Sequence, residues 1–228
     1  RHHREVTGGL LPREAVIAAN KAPFNLRTGV TKPYDLHYSG AQCEAILGSN
    51  RFTTQDQGYG TEMVPIVIDN APIVGFILTD GHLLLNLNLF DESNNLVLQI
   101  VNNAMQLSVD AWDIDLVGQN LIVRQALRNI LLDIHFEVPN RIVIRRGRLL
   151  RNGVEVLITP DYALVTNNNT FVSGCSAFNV HAGLVLGAGD PPGGAMFRIA
   201  GLNRYLGDRE ASRRWAEQVL RDMSPDSP

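Results

Sequence analysis

In LLLNLNLF, Leu85, Leu87 and Leu89 alternate with Asn86 and Asn88. The same beat of two runs through most of the chain from Val64 onward. Leu96, Leu98 and Ile100 share one side of LVLQI, and Trp112, Ile114 and Leu116 oppose Asp113 and Asp115 in WDIDLV. Successive strand side chains point to opposite faces, so this alternation predicts strands with one face in a core. It continues through LIVR (121–124), ILLDIHFE (130–137), RIVIRR (141–146) and VEVLI (154–158), then YALV, TFVS and FNV. Turn residues punctuate it at TDG (79–81), DESNN (91–95), NN (102–103), VGQN (117–120), PN (139–140), RNG (151–153), TPD (159–161) and NNN (167–169). That spacing predicts a mainly β fold, an antiparallel meander by default, with sandwich, barrel and degenerate solenoid all compatible. No strict internal repeat supports the solenoid.

The ends follow a different period. Residues 1–29 read as short helices, broken at VTGG, with Pro12 at an opening turn and Pro23 at a stop. Residues 30–62 read as a loop-rich linker with a strand near 41–47, and 63–187 as the β-rich domain. Within 188–228, GAGDPPGG gives a turn and DREASRRWAEQVLRDM a helix, capped by Asp208, with Ala211, Trp215 and Val219 on one stripe.

With 228 residues and 45% hydrophobic content, core size does not limit the fold. Apolar runs such as Leu83 to Leu85 fall far short of the roughly 20 residues a membrane helix needs, so no membrane partner is expected. Cys43 and Cys175 form no CxxC pair, which suits a reducing, cytoplasmic setting and buried thiols. Net charge is −3, but unevenly spread: no lysine or arginine lies between Arg51 and Arg124, whereas seven arginines face two acids between Arg124 and Arg151. In RIVIRRGRLLR, Arg141, Arg145, Arg146 and Arg148 form the best nucleic-acid candidate. Arginines two apart on a strand repeat at about 7 Å, close to the spacing of phosphates along one nucleic-acid strand. The alternative is charge balance with the acidic strands, notably Asp113 and Asp115.

Other chemistry is thin. His37, His82, His135 and His181 share no metal-ligand spacing, and Asp133, His135 and Glu137 read as the polar face of a strand. GAGDPPGG lacks the GK[ST] ending of a phosphate loop. No catalytic triad can be assembled.

RHHREVTGG, with LPREA after it, resembles the end of the metal-binding motif of bacterial HNH endonucleases. AANKAPFNLRTG (18–29) and the run from LFDE to IRRG (89–147) resemble the β-rich region that accompanies that motif in some of them. The resemblance implies structural zinc at His2 and a catalytic divalent metal, magnesium or manganese, at His3. It also implies a parent that cuts DNA. Adjacent imidazoles can serve two metals by pointing apart. The water-activating histidine, the central asparagine and the zinc cysteines of such a motif would lie before Arg1. The expectation is a C-terminal fragment, inactive by itself, whose β domain positions nucleic acid or senses a ligand or partner. The alternative is a non-enzymatic β-rich binding or structural module of a phage-like or surface assembly.

Overall fold

The computed structural model describes residues 39–57, 60–107, 113–126, 129–190 and 194–205, and every regular element among them is a strand. The helices expected over 1–29 and after Asp208 lie outside the described residues, as do His2 and His3.

The stretch expected as a linker contains a hairpin, β1 (Gln42–Leu47) and β2 (Asn50–Gln55). NRFTTQ hides its alternation because two inward residues are polar. Asn50 and Thr54 flank Phe52 on the core side and are buried. Their side chains are satisfied by later loops, Asn50 Nδ2 donating to the Val172 carbonyl at 2.7 Å and Thr54 Oγ1 to that of Val180 at 2.6 Å.

A five-strand meander follows: β3 (Thr61–Ile68), β4 (Ala71–Thr79), β5 (His82–Phe90), β6 (Leu96–Val101) and β7 (Ala104–Leu107). Three of its turns are Asp69–Asn70, Asp80–Gly81 and Asn102–Asn103, with both central residues at φ between 48° and 76°. Two-residue hairpins demand that conformation, and Asn, Asp and Gly tolerate it best. A second antiparallel run holds β8 (Asp113–Val117), β9 (Asn120–Ala126), β10 (Asn129–Glu137), β11 (Arg141–Arg151), β12 (Val154–Ile158), β13 (Ala163–Val165) and β14 (Thr170–Val172). Three short strands remain: β15 (Ser176–Ala177), β16 (Ala182–Leu186) and β17 (Ala195–Ile199). The FNV segment is not one of them.

The strands form two sheets, neither closed. The first runs β17-β16-β3-β4-β5-β6-β7; the second carries β1, β2 and β8 to β15. A pure antiparallel meander is therefore corrected in four places, since β1 with β11, β15 with β2, and β16 with both β3 and β17 are parallel pairs. Parallel neighbours need long connections, and short-range periodicity carries no trace of them.

One hydrophobic cluster joins the inner faces of both sheets. Phe76 of the first meets Phe136 of the second edge-on, with centroids 6.4 Å apart. Gly183 is required for this approach: a Cβ there would lie 2.5 Å from the Pro65 carbonyl oxygen and 2.9 Å from both Leu47 Cδ1 and Phe52 Cε1.

β11 organises the second sheet. Along one edge it pairs with β10, and on the opposite edge Arg141–Ile144 pair with β1 while Gly147–Arg151 pair with β12. Two strands thus lie end to end against one long neighbour. The β10 pairing slips between them: Ile134 opposes Ile144 but Asp133 opposes Arg146, leaving Arg145 as the extra residue of a bulge. Ile142 and Ile144 face the core before it, Leu149 after it. The phase shift matters because strict alternation would have turned Arg146 inward.

Candidate functional site

With the bulge, Arg141, Arg145, Arg146 and Arg148 all lie on the outer face of the second sheet, among acids and amides. Arg141 Nε meets Glu44 Oε2 at 2.5 Å and its Nη1 meets Glu137 Oε2 at 3.0 Å. These two carboxylates push the Arg141 guanidinium further up. Arg146 Nε donates to Asp133 Oδ2 at 3.3 Å. Arg148 bridges two acids, Nε to Glu155 Oε1 at 2.6 Å and Nη2 to Glu92 Oε1 at 2.8 Å. Arg146 and Arg148 are buried, as are Asp133 and Glu155. Their guanidinium groups serve the fold, and a phosphate could reach them only after displacing a carboxylate.

The acidic partners differ from those named in the sequence reading. Asp115 reaches Arg124 at 3.9 Å, across the neighbouring strand, while Glu44, Glu92, Glu137 and Glu155 hold the β11 arginines. Arg145 departs from the pattern. Its Nη2 donates to Asn120 Oδ1 at 2.7 Å, and the same oxygen lies 2.7 Å from His135 Nδ1. Guanidinium is donor-only, so this contact fixes the orientation of the Asn120 amide, which in turn places the proton of neutral His135 on Nδ1.

A second polar concentration lies where three turns and the later chain meet. Arg204 grips Asp69 with two nitrogens, Nη1 to Oδ2 at 2.7 Å and Nη2 to Oδ1 at 2.6 Å. Asn152 Nδ2 and the Ala188 N–H also donate to that carboxylate, at 2.9 and 3.1 Å. The arginine first, then the amide and the backbone donor, hold the Asp69 carboxyl at about 2, against an ordinary 3.8. Gly187, at φ 76°, is obligatory, because a Cβ would fall 2.3 Å from Asp69 Oδ1. Asn94 and Asn152 exchange a reciprocal pair, side-chain amide to side-chain oxygen at 2.9 Å and backbone N–H to side-chain oxygen at 2.7 Å. The shallow cleft beside them, of about 180 Å³ including its open mouth, is lined by Asp91, Glu92, Asn94, Arg151 and Tyr205 among others. Asp91 is occupied by the N–H and side-chain amide of Asn95, Glu92 by Arg148, and the guanidinium of Arg151 lies 4.9 Å over the Phe90 ring. The arrangement is a joint between the sheets.

Cys43 is buried, and desolvation pushes its thiol up to about 12, which removes it as a nucleophile. Asp133, His135 and Glu137 each have separate partners, Arg146, Asn120 and Arg141. Among the described residues no group of three or more His, Cys, Asp or Glu side chains is disposed to hold a metal. Among the described residues there is no helix long and apolar enough to cross a membrane. The first sheet offers a contrasting outer face. There Asn88 accepts from Gln99 Nε2 at 2.9 Å and donates to the Pro72 carbonyl at 3.0 Å, beside the uncharged Ile77, Leu84 and Asn86.

No protein-family model, curated protein or solved structure matches this chain.

Proposed function

We propose that this chain is the C-terminal part of an HNH-type endonuclease and that its β-rich region serves recognition, positioning nucleic acid or sensing a ligand or partner, while making no cut by itself. The resemblance of RHHREVTGG to the end of the metal motif supports the nuclease link, with His2 on structural zinc and His3 on the catalytic magnesium or manganese. Phosphodiester hydrolysis needs a metal to stabilise developing charge and a base for the attacking water. His3 alone does not supply both.

One observation carries the recognition reading: the strongest ionic groups of the two sheets are closed on one another. Arg148 sits between Glu92 and Glu155, Arg141 between Glu44 and Glu137, and Asp69 within the Arg204 fork. Proton transfer or nucleophilic attack requires an unengaged lone pair or acid, so these clusters contribute a rigid frame and its surfaces. A second reading, a non-enzymatic module of a larger assembly, is favoured by the amide pair Asn88–Gln99 on the outer face of the first sheet.

One measurement separates the readings, and a second tests the absence of cutting that both expect. Coding sequence immediately upstream with a cysteine-bearing DH…N…LC segment is expected for the nuclease, and an unrelated segment removes that link. Plasmid incubated with the chain and magnesium, manganese or zinc should remain uncut. Cutting that His3→Ala abolishes would overturn the inactive assignment.

A further inference from the structure

We propose that Arg145, Asn120 and His135 form a binding site for a phosphate monoester on the outer face of the second sheet. The proposal names a ligand chemistry for the recognition reading above and rests on it.

The bulge creates the site. Arg145 is the extra residue between the Ile134–Ile144 and Asp133–Arg146 pairs, and on its other side it falls in the gap where β1 ends and β12 begins. Bulges re-aim side chains, and here the side chain is brought over the β9–β10 hairpin beside Asn120 and His135. Both carboxylates of β10 on this face have arginine partners, Glu137 with Arg141 and Asp133, through Oδ2 alone, with Arg146. The partner of Arg145 among the described residues is instead a neutral amide oxygen. Its charge is therefore left without a paired acid.

Donor and acceptor counts then select the ligand. Arg145 uses one of five N–H donors, and the Asn120 NH₂ keeps two N–H donors without a partner among the described residues. In its neutral form the His135 ring, with Nδ1–H committed to Asn120, presents Nε2 as an acceptor. An anion matching this set needs several acceptor oxygens and one O–H. A phosphate monoester as its monoanion has both, whereas a phosphodiester has no O–H to give Nε2. The cluster thus suits a terminal phosphate better than the interior of a nucleic-acid backbone.

Calorimetric titration of the full chain with methyl phosphate and with dimethyl phosphate, at fixed ionic strength in chloride, tests this on the wild-type protein alone. Saturable one-to-one binding of methyl phosphate, with dimethyl phosphate at least about tenfold weaker, is expected from loss of one charge-assisted hydrogen bond. Arg145→Gln and His135→Phe should each weaken methyl phosphate by a similar factor. Arg51→Gln, at an exposed arginine paired with Glu44 on the same face, should leave it unchanged. An absent isotherm, equal binding of the diester, or wild-type affinity in Arg145→Gln overturns the site. Failure of the nuclease link would appear upstream in the coding sequence and leave these isotherms as they are, so the two failures are distinguishable. Titration with a 5′-phosphorylated oligonucleotide and with adenosine monophosphate then identifies the source, tighter binding of the strand end or of the free nucleotide each supporting the shared chemistry.

Discussion

Replacing Arg148 by methionine removes a guanidinium that neutralises two acids at once, and the burial of those acids sets the size of the effect. Glu155 is fully buried and accepts from Arg148 at 2.6 Å and from Thr166 Oγ1 at 3.1 Å. Deleting one partner of a buried pair costs about 3 to 5 kcal/mol, chiefly because the survivor stays charged and desolvated. Glu92 adds little to this, since its side chain is 25% exposed and can rehydrate. The lower end, about 3 kcal/mol, is therefore expected for Arg148→Met. At a urea dependence of about 3 kcal/mol per molar, the midpoint should fall by about 1 M, read by far-ultraviolet circular dichroism. The double variant Arg148→Met/Glu155→Leu removes both buried charges and should recover to within about 1 kcal/mol of wild type, because well-packed apolar replacements of such pairs are often neutral. A double variant as unstable as the single, or a single variant losing less than about 1 kcal/mol, would refute the assignment of Arg148 to charge balance.

Asp69→Asn should remove an acid-sensitive contribution. Because the Asp69 carboxyl is held down at about 2 rather than 3.8, its stabilisation is complete above about pH 4 and is lost as pH falls toward 2. The wild-type advantage over the variant should shrink through that window in urea titrations, and a constant difference would contradict it. Solvent screening of Arg204, 37% exposed, limits the effect to about 1 kcal/mol. Cys43 should resist a thiol reagent in the folded protein while the half-buried Cys175 reacts, giving one fast equivalent; two fast equivalents would contradict the burial. Gly187→Ala should lower the melting temperature more than Gly201→Ala, whose Cβ would enter open space, and equal melting would discount the crowding at Asp69.

The clearest parts of the sequence were those governed by neighbours a few residues apart. The Leu85, Leu87, Leu89 row is buried as its alternation requires, and TDG, NN and RNG lie at positive-φ turns. The Asp69–Asn70 turn was not singled out, although its side chain anchors the joint with Arg204, a partner 135 positions away. Alternation carries only part of the arginine strand. Arg141, Val143 and Arg145 do share a face, but the slip at Arg145 keeps Arg146 and Arg148 there as well, and its cause is a pairing with β10 that no single strand displays. Asp113 and Asp115 looked like the natural counter-charges because they lie in the acidic block. Glu44, paired with Arg141 across 97 positions, gave no local signal at all. Likewise, His135 looked like an ordinary polar-face residue until Asn120 and Arg145 were placed around it.

The end-to-end seating of β1 and β12 along β11 also sets an order of events during synthesis. β3 to β7 can pair as soon as each hairpin is made, but Glu44 must wait for Arg141, 97 positions later, before β1 acquires its parallel neighbour. At roughly 5 to 20 residues per second, that delay is roughly 5 to 20 s. Throughout it the β1–β2 hairpin, with Cys43, Ala45, Leu47 and Phe52 on its apolar side, lacks the strand that will flank it. The nascent chain is therefore most open to misassociation just after the first hairpin emerges. A chaperone that binds short apolar strands would act there, and would be released when β11 arrives.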